Sequence, residues 1–371
     1  MRVAVVGDGL VGLSAALHLS RGGAEVVVYA RPDTIGQASQ VAAGMLGVMA
    51  EREWAPIDRL MVEARRYWKE FADLLTSESG IEVRIGEEGT FFVLQREEER
   101  PHLVELNRRT VRLGFSSEWF ERDECEELHP LLTGQFIGAL LVLEEGWVNP
   151  RRVYPALVQA CEEAGVRTVS EEVVQVGVRG GHAELLLESG ERVEADGALV
   201  AAGAWSGDLI EPGLAEGFST HPVRGQYLLL RSPGHVGWPV VRSVAELAYL
   251  VPSLGADYLY LGASVEEKQW GPPEDFSAAF RVLDGMTRVM PGLAELEVTE
   301  RGYGLRPATP DGLPAIGPLG EGAVYVATGH YRNGVLMGPL TGKLAAEEIL
   351  GEDHGELLGP VRPARFASQG G

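Results

Sequence analysis

"RVAVVGDGLVGLSAALHLSRGGAEVVVYA", residues 2–30, decides the fold. Val3 to Val6 form a short apolar run, Gly7 to Gly12 are glycine-rich, and "LSAALHLSRGG" repeats apolar residues at helical spacing until Gly22 and Gly23 stop it. A second apolar run, "AEVVVYA", follows at once. The stretch reads as strand, helix, strand, and that setting turns "GDGLVG" into a G-x-G-x-x-G loop between a strand and a helix. Gly7 makes the tight turn, Gly9 lets the backbone approach a pyrophosphate beside Leu10 and Val11, and Gly12 lets helix and strand pack closely. A dinucleotide is therefore expected at the helix N-terminus. An acid should end the second strand and bond a ribose hydroxyl, yet the strand ends Tyr29-Ala30-Arg31. An arginine here can take the 2′-phosphate of NADP or meet the adenosine side of FAD, so the motif alone leaves nicotinamide and flavin open.

Length and composition narrow the class. A chain of 371 residues exceeds the usual single-core limit and suggests two domains. Its 45% hydrophobic and 23% charged residues are ordinary for a soluble globular protein, and no apolar run reaches the roughly 18 residues of a membrane span. The N-terminus enters a strand pattern at Val3 without the features of a signal peptide, so a cytoplasmic protein is expected. Cys125 and Cys161, the two cysteines, provide no disulfide framework. A net charge of −22 argues against nucleic acid and anionic membranes as partners. Lys69, Lys268 and Lys343 are the only lysines, which disfavours Schiff-base chemistry. The eight histidines are scattered without ligand spacing, so no metal site is expected. A Gly-x-Ser-x-Gly hydrolase elbow is absent.

Two further segments repeat the opening scheme: "EADGALVAAGAWSG" (194–207) as a buried strand into a tight turn, and "GAVYVATGHYRNGVLMGPLTGKLAAEEIL" (322–350) as strand, glycine loop and long helix. "GTFFVLQ" (89–95), "GQYLLLRS" (225–232), "AYLVPSLGADYLYLGAS" (248–264) and "AELEVTERGYG" (294–304) read as antiparallel strands of a second, inserted sheet. The expected fold is α/β: a doubly wound dinucleotide domain from residues 1–85, 145–218 and 302–371, with an antiparallel-sheet substrate domain from 86–144 and 219–301. The tail "GPVRPARFASQGG" reads as loose. "GLRPATPDG" (304–312) reads as a stiff turn, because Pro307 and Pro310 restrict themselves and their predecessors and so aim Arg306.

Four motifs occurring in order, "ASQVAAGMLG" (38–47), "AAGAWSG" (201–207), "GLRPATPDGLPAIGP" (304–318) and "GHYRNGVLMGPLTG" (329–342), resemble the D-amino-acid-oxidase superfamily of FAD enzymes, and within it the glycine oxidases of thiamine biosynthesis. The resemblance runs from Val3 to Leu350. It implies an extended FAD with Ala43, Gly44 and Met45 near the flavin ring and Arg31, Val174, Gly203 and Trp205 along the rest of the cofactor. It also implies that Arg332, Asn333, Gly334, Val335 and Leu336 open a helix whose N-terminus faces the flavin, with Asn333 as its cap and charge stabilisation on reduction as its effect.

Arg306 resembles the family's carboxylate clamp, whose guanidinium forks two hydrogen bonds onto the substrate. Tyr249 resembles a second carboxylate contact, Arg332 a residue near substrate and flavin, and Met45 a pocket wall; His330 reads as structural. Gly304 stands where sarcosine-oxidase-like enzymes carry a cysteine bonded to FAD, so non-covalent FAD is expected. The implied reaction oxidises glycine, sarcosine or a small D-amino acid by hydride transfer from Cα to flavin N5. The products are the imine, then the α-keto acid with ammonia or amine, and H2O2 from O2. A homo-oligomer is implied by the same resemblance. A sarcosine-oxidase-like enzyme, a D-amino-acid dehydrogenase, a noncatalytic FAD-binding assembly subunit and an NADP-dependent reductase are the alternatives.

Overall fold

The computed structural model describes the chain except residues 33–35, 50–54, 235–236, 246–247, 253–256, 321 and 370–371. In chain order the strands are β1 (Arg2–Val6), β2 (Glu25–Ala30), β3 (Ile85–Gly86), β4 (Thr90–Leu94), β5 (Ser117–Glu121), β6 (Gly138–Val142) and β7 (Trp147–Val148). Next come β8 (Arg167–Ser170), β9 (Val173–Arg179), β10 (His182–Leu187), β11 (Arg192–Ala195), β12 (Gly197–Val200) and β13 (His221–Arg231). The last are β14 (Val240–Ser243), β15 (Tyr249–Pro252), β16 (Tyr258–Gly262), β17 (Glu266–Glu267), β18 (Val298–Ala308), β19 (Ala315–Leu319) and β20 (Val324–Thr328). The α-helices are α1 (Leu10–Arg21), α2 (Ala38–Val41), α3 (Asp58–Ser79), α4 (Arg100–Arg112), α5 (Arg122–Leu128), α6 (Pro150–Glu163), α7 (Ser206–Leu209), α8 (Ser277–Thr287), α9 (Gly334–Ile349) and α10 (Gly355–Leu358).

β1 is buried from Val3 to Val6 because it occupies the middle of a six-stranded sheet ordered β19-β20-β12-β1-β2-β8. All its pairings are parallel except β19 with β20. Val3, Val5, Val26 and Val28 pack into the core formed with α1, α3, α6 and α9, whereas Ala4, Val6 and Tyr29 pack into the core shared with the three-stranded sheet β11-β10-β9. Period-two alternation thus feeds two layers from one strand.

Glycines set the contact between α1 and α9. A Cβ on Gly342 would lie 2.5 Å from Ser14 Cβ, and one on Gly338 would lie 3.1 Å from Leu10 side-chain atoms. Pro339 has no N–H for the Val335 carbonyl one turn earlier. Trp68 on α3 supplies the donor, its Nε1–H reaching Val335 O at 3.1 Å and Leu336 O at 3.0 Å.

The larger sheet follows the path β17-β13-β16-β15-β14-β4-β6-β5, with β18 paired to β13. Its two faces alternate residue by residue. Leu228, Leu230, Val241, Leu250 and Leu261 face a core with Ala279 and Met286 of α8, while Tyr227, Leu229, Val240, Val251 and Tyr260 join Trp147 on the other side.

For the described part of the tail, residues 359–369, the expectation of a loose segment is overturned. Val361 and Phe366 are buried, Arg362 is ion-paired with Glu348, and Arg365 bonds Asp311 at 2.7 Å. These partners lie far away in sequence, so the local composition carried no sign of them. Residues 253–256 of the expected strand segment 248–264 lie outside the described residues, and β15 and β16 flank them. Among the described residues no helix is long and apolar enough to cross a membrane.

Candidate functional site

A cavity of 440 Å³ opens where the chain leaves the carboxyl ends of β1, β2, β12 and β20, and the Tyr227 face of the larger sheet closes its other side. Carboxyl ends of parallel strands are where ligands meet this class of sheet.

At one end is the first glycine loop. Gly7 has φ +109°, and a Cβ there would sit 2.6 Å from Ala201 O; one on Gly12 would sit 2.0 Å from Gly7 O. Gly7, Gly9, Leu10 and Val11 line the cavity, whereas Gly12 lies behind it as a packing residue. α1 carries no side-chain cap from its own N-cap, Gly9. Instead the Leu10 N–H donates to Ser39 Oγ at 3.0 Å. Ser39 was missed from the sequence because its contact spans twenty-nine positions.

A second helix N-terminus enters the same cavity. Gly334 and Val335 begin α9 at the wall, and Leu336 sits one layer back, its carbonyl taken by Trp68. Asn333 occupies the N-cap position, but its side chain makes no cap bond, which corrects the expectation drawn from residue type. Its Nδ2 is buried without a hydrogen-bond partner. Tyr331, just before, has φ +50°, a left-handed conformation that costs a non-glycine residue free energy, and the Arg332 guanidinium lies 5.2 Å from its ring centroid. Two helices of 12 and 16 residues thus present their positive ends to one space.

Arg31 leaves β2 and stacks over the Trp205 ring at 4.3 Å, with Val174 and Gly203 beside them on the wall. The acid absent from the end of β2 has counterparts from elsewhere in the chain: Glu172 and Asp208 line this same end. Ala43, Gly44 and Met45 form the middle of the wall. Gly44 has φ +88° and lies so close to β7 that a Cβ would meet Val148 O at 1.9 Å.

On the sheet side, Arg306 is in a strand and not in the stiff turn that the prolines suggested. β18 continues through Ala308, and Pro307 stands opposite Pro222 of β13. Two residues without N–H groups facing each other give up nothing at a non-hydrogen-bonded pair. Arg306 lies across Gly225, where a Cβ would meet its Nη2 at 2.2 Å, and its Nη1 donates to Ser264 O at 3.0 Å. Tyr249 also lines the cavity. It stacks with Tyr260 at 6.3 Å, and Tyr260 stacks with Tyr227 at 4.8 Å. The Tyr260 hydroxyl donates to Val41 O at 3.0 Å, tying the sheet to the "AAG" segment. Burial, with the neighbouring tyrosines, holds the Tyr260 phenol well above its ordinary pKa, so it remains a donor.

His330 lines the cavity too, its Nε2 3.0 Å from Thr341 Oγ1. Burial lowers its pKa to about 4, so the ring is neutral and a poor proton acceptor near neutrality. Both cysteines are buried off the cavity wall, and burial pushes each thiol up to about 12. Among the described residues, Glu347, Glu352 and His354 form a group that could hold a metal ion, but Lys343 is already ion-paired with Glu347 there.

A family model described as FAD dependent oxidoreductase matches residues 2–348. The chain belongs to this family. It is 29% identical to a glycine oxidase of Bacillus licheniformis over 94% of this chain and 92% of the relative. It is 30% identical to the bifunctional protein ThiO/ThiG of Synechocystis over 98% of this chain and 54% of that protein. The crystal structure of glycine oxidase from Geobacillus kaustophilus superposes with a TM-score of 0.91 at 27% identity, covering 98% of this chain and 99% of that one.

FAD fits the residues present. Gly7 and Gly9 leave the backbone bare beside one helix N-terminus, and the uncapped start of α9 with the orphaned Asn333 amide supplies donors at the other. The family cofactor settles the choice that Ala30 and Arg31 left open in favour of flavin.

Proposed function

We propose that this flavoenzyme oxidises glycine, and with it sarcosine or small D-amino acids, to the imine, with water then releasing the α-keto acid and O2 accepting the electrons as H2O2. The observation that carries the reading is Arg306, a guanidinium laid across Gly225 on the wall of the cavity that two helix N-termini enter. A noncatalytic FAD-binding subunit has no need for a cation there, which favours an enzyme. Relatives named glycine oxidase and ThiO/ThiG support the substrate and a role in supplying the thiazole of thiamine.

In this reading Gly7, Gly9, Leu10, Val11 and Ser39 hold the pyrophosphate, and Arg31, Val174, Gly203 and Trp205 hold the adenosine end. Ala43, Gly44 and Met45 flank the ring, and Arg332, Asn333, Gly334 and Val335 meet its edge. Bound there, FAD supplies the acceptor for the hydride that leaves the substrate Cα. Arg306 forks onto the substrate carboxylate and fixes the direction of the Cα–H bond, while Tyr249 donates a further hydrogen bond. The tyrosine stack excludes water from that side. The substrate amine binds deprotonated, so the neutral His330 need take no proton. Residues 1–85, 145–218 and 302–371 form the FAD domain and 86–144 with 219–301 the substrate domain in this scheme. The two buried thiols off the wall favour non-covalent FAD.

The test is an anaerobic absorbance spectrum of the purified protein before and after glycine, sarcosine and D-alanine. Bleaching of the flavin band is expected, with glycine among the effective reductants. A yellow protein that none of the three bleaches would overturn the substrate reading.

A further inference from the structure

Arg306 shares its cavity with another arginine of the same sheet face. Arg242 of β14 lines the cavity and is 9% exposed. The register places it directly opposite Tyr249, Tyr249 opposite Gly262, and Gly262 opposite Tyr227, two residues from the Gly225 on which Arg306 rests. Directly opposed residues share a face, so the two guanidinium groups, Tyr249 and the bare Gly262 belong to one surface. The strands beneath the two ends of this row, β14 and β13, are three strand spacings apart, roughly 14 Å. Between them Gly262 makes room for two rings that floor the cavity, since a Cβ there would meet Tyr260 at 2.8 Å and Tyr249 at 3.1 Å.

Holding a cation this deep costs several kcal/mol unless it is paired. Part of the compensation is Glu145, 1% exposed, whose Oε1 accepts the Met49 N–H at 2.5 Å and whose charge Arg242 favours against burial. The pair is not needed to fill space, since neighbouring positions of the same face hold Val240 and Val251. The Arg242 guanidinium also lies 5.8 Å from the Phe92 ring, a contact that steadies it on the wall.

We propose that Arg242 is a second anion-recognition point, and that the site takes short amines bearing two carboxylates, of the N-carboxymethylglycine class, with one carboxylate on Arg306 and the other on Arg242. This rests on the oxidase reading given above. In the step, the Cα–H bond beside the Arg306-bound carboxylate breaks and its hydride passes to the bound flavin. The nitrogen lone pair forms C=N as the nitrogen proton leaves, water adds across C=N, and the C–N bond breaks to release glyoxylate and glycine. Glu145 positions Arg242 and touches no reacting atom.

The experiment titrates the FAD-loaded protein with diglycolate, a dicarboxylate with an ether oxygen in place of the oxidisable nitrogen, and with methoxyacetate, its one-carboxylate counterpart, following the visible flavin band. Diglycolate should bind at least about 10-fold more tightly, the gain of one charge-assisted contact. Arg242→Met should shrink that gap to within about threefold and lower kcat/KM for iminodiacetate relative to sarcosine by about 10-fold. Arg242→Lys keeps a charge opposite Glu145 and should retain part of the gap, so it decides the matter should the methionine variant not fold. Equal binding of the two probes by the unaltered protein, or a gap that survives in Arg242→Met, would overturn the proposal. A protein that binds diglycolate preferentially but whose flavin no amine bleaches would keep the second anion point and sink the oxidase reading alone.

Discussion

The larger sheet has two faces written by one alternation, and they are built for opposite ends. On the sealed face Leu228, Leu230, Val241, Leu250 and Leu261 close against α8. On the open face Tyr227, Tyr249 and Tyr260 stack beside Arg242 and Arg306, with Gly225 and Gly262 making room for them. Because side chains alternate with period two, a slip of one residue in any strand would exchange the faces. The aliphatic face therefore holds the chemical face in register, and stability and chemistry should separate cleanly between them.

The largest effect should come from the open face. Arg306→Met removes a charge-assisted clamp worth about 4 kcal/mol, so kcat/KM for glycine should fall about 1000-fold while the flavin stays bound. A loss below tenfold with FAD retained would break the division of labour. Next, Leu228→Ala on the sealed face should cost about 3 kcal/mol in denaturant unfolding and leave KM for glycine within about twofold. A large KM change would show the faces to be coupled.

A third test uses acid. His129, fully buried against Trp238 near the sealed face, has its pKa lowered to about 3 by burial, and neither ring nitrogen has a partner. The unfolded chain takes this proton below about 6.5 and the folded one does not, so stability is complete above that pH and declines as pH falls. His129→Leu should reduce that slope by up to about 1.4 kcal/mol per pH unit between pH 6 and 4, read from melting curves. His18 and His330, both lowered to about 4, keep the remainder. The smallest effect belongs to Tyr249→Phe, where one lost hydrogen bond of about 1 kcal/mol should raise KM about fivefold with the melting temperature unchanged.

The parts legible in the sequence are those whose causes are local. Residues 2–30 carry their strand, helix and glycine signals within one turn of each other, and the structure has β1, α1 and β2 there. "GHYRNG" likewise lies directly before α9. Where the cause is remote, the reading failed or stopped short. Pro307 suggested a turn because its partner Pro222 is 85 positions away across the sheet. The tail looked loose because Glu348 and Asp311 hold it from elsewhere. Asn333 has the right chemistry for a cap but is aimed otherwise. Arg242 carries no local mark at all, since only the ladder from β14 to β13 brings it onto the same face as the residues around Arg306.

The glycine seam between α1 and α9 has a consequence in time. Gly338 and Gly342 seat α9 directly on α1, and Trp68 ties the first turn of α9 to α3, so the two helix ends that would grip the two halves of the cofactor belong to one rigid body. A rearrangement of the sheet side that admits or releases a small ligand leaves that grip untouched. Cofactor residence and turnover should then run on separate clocks, the first set by two helix ends fixed to each other, the second by motion across the opposite wall.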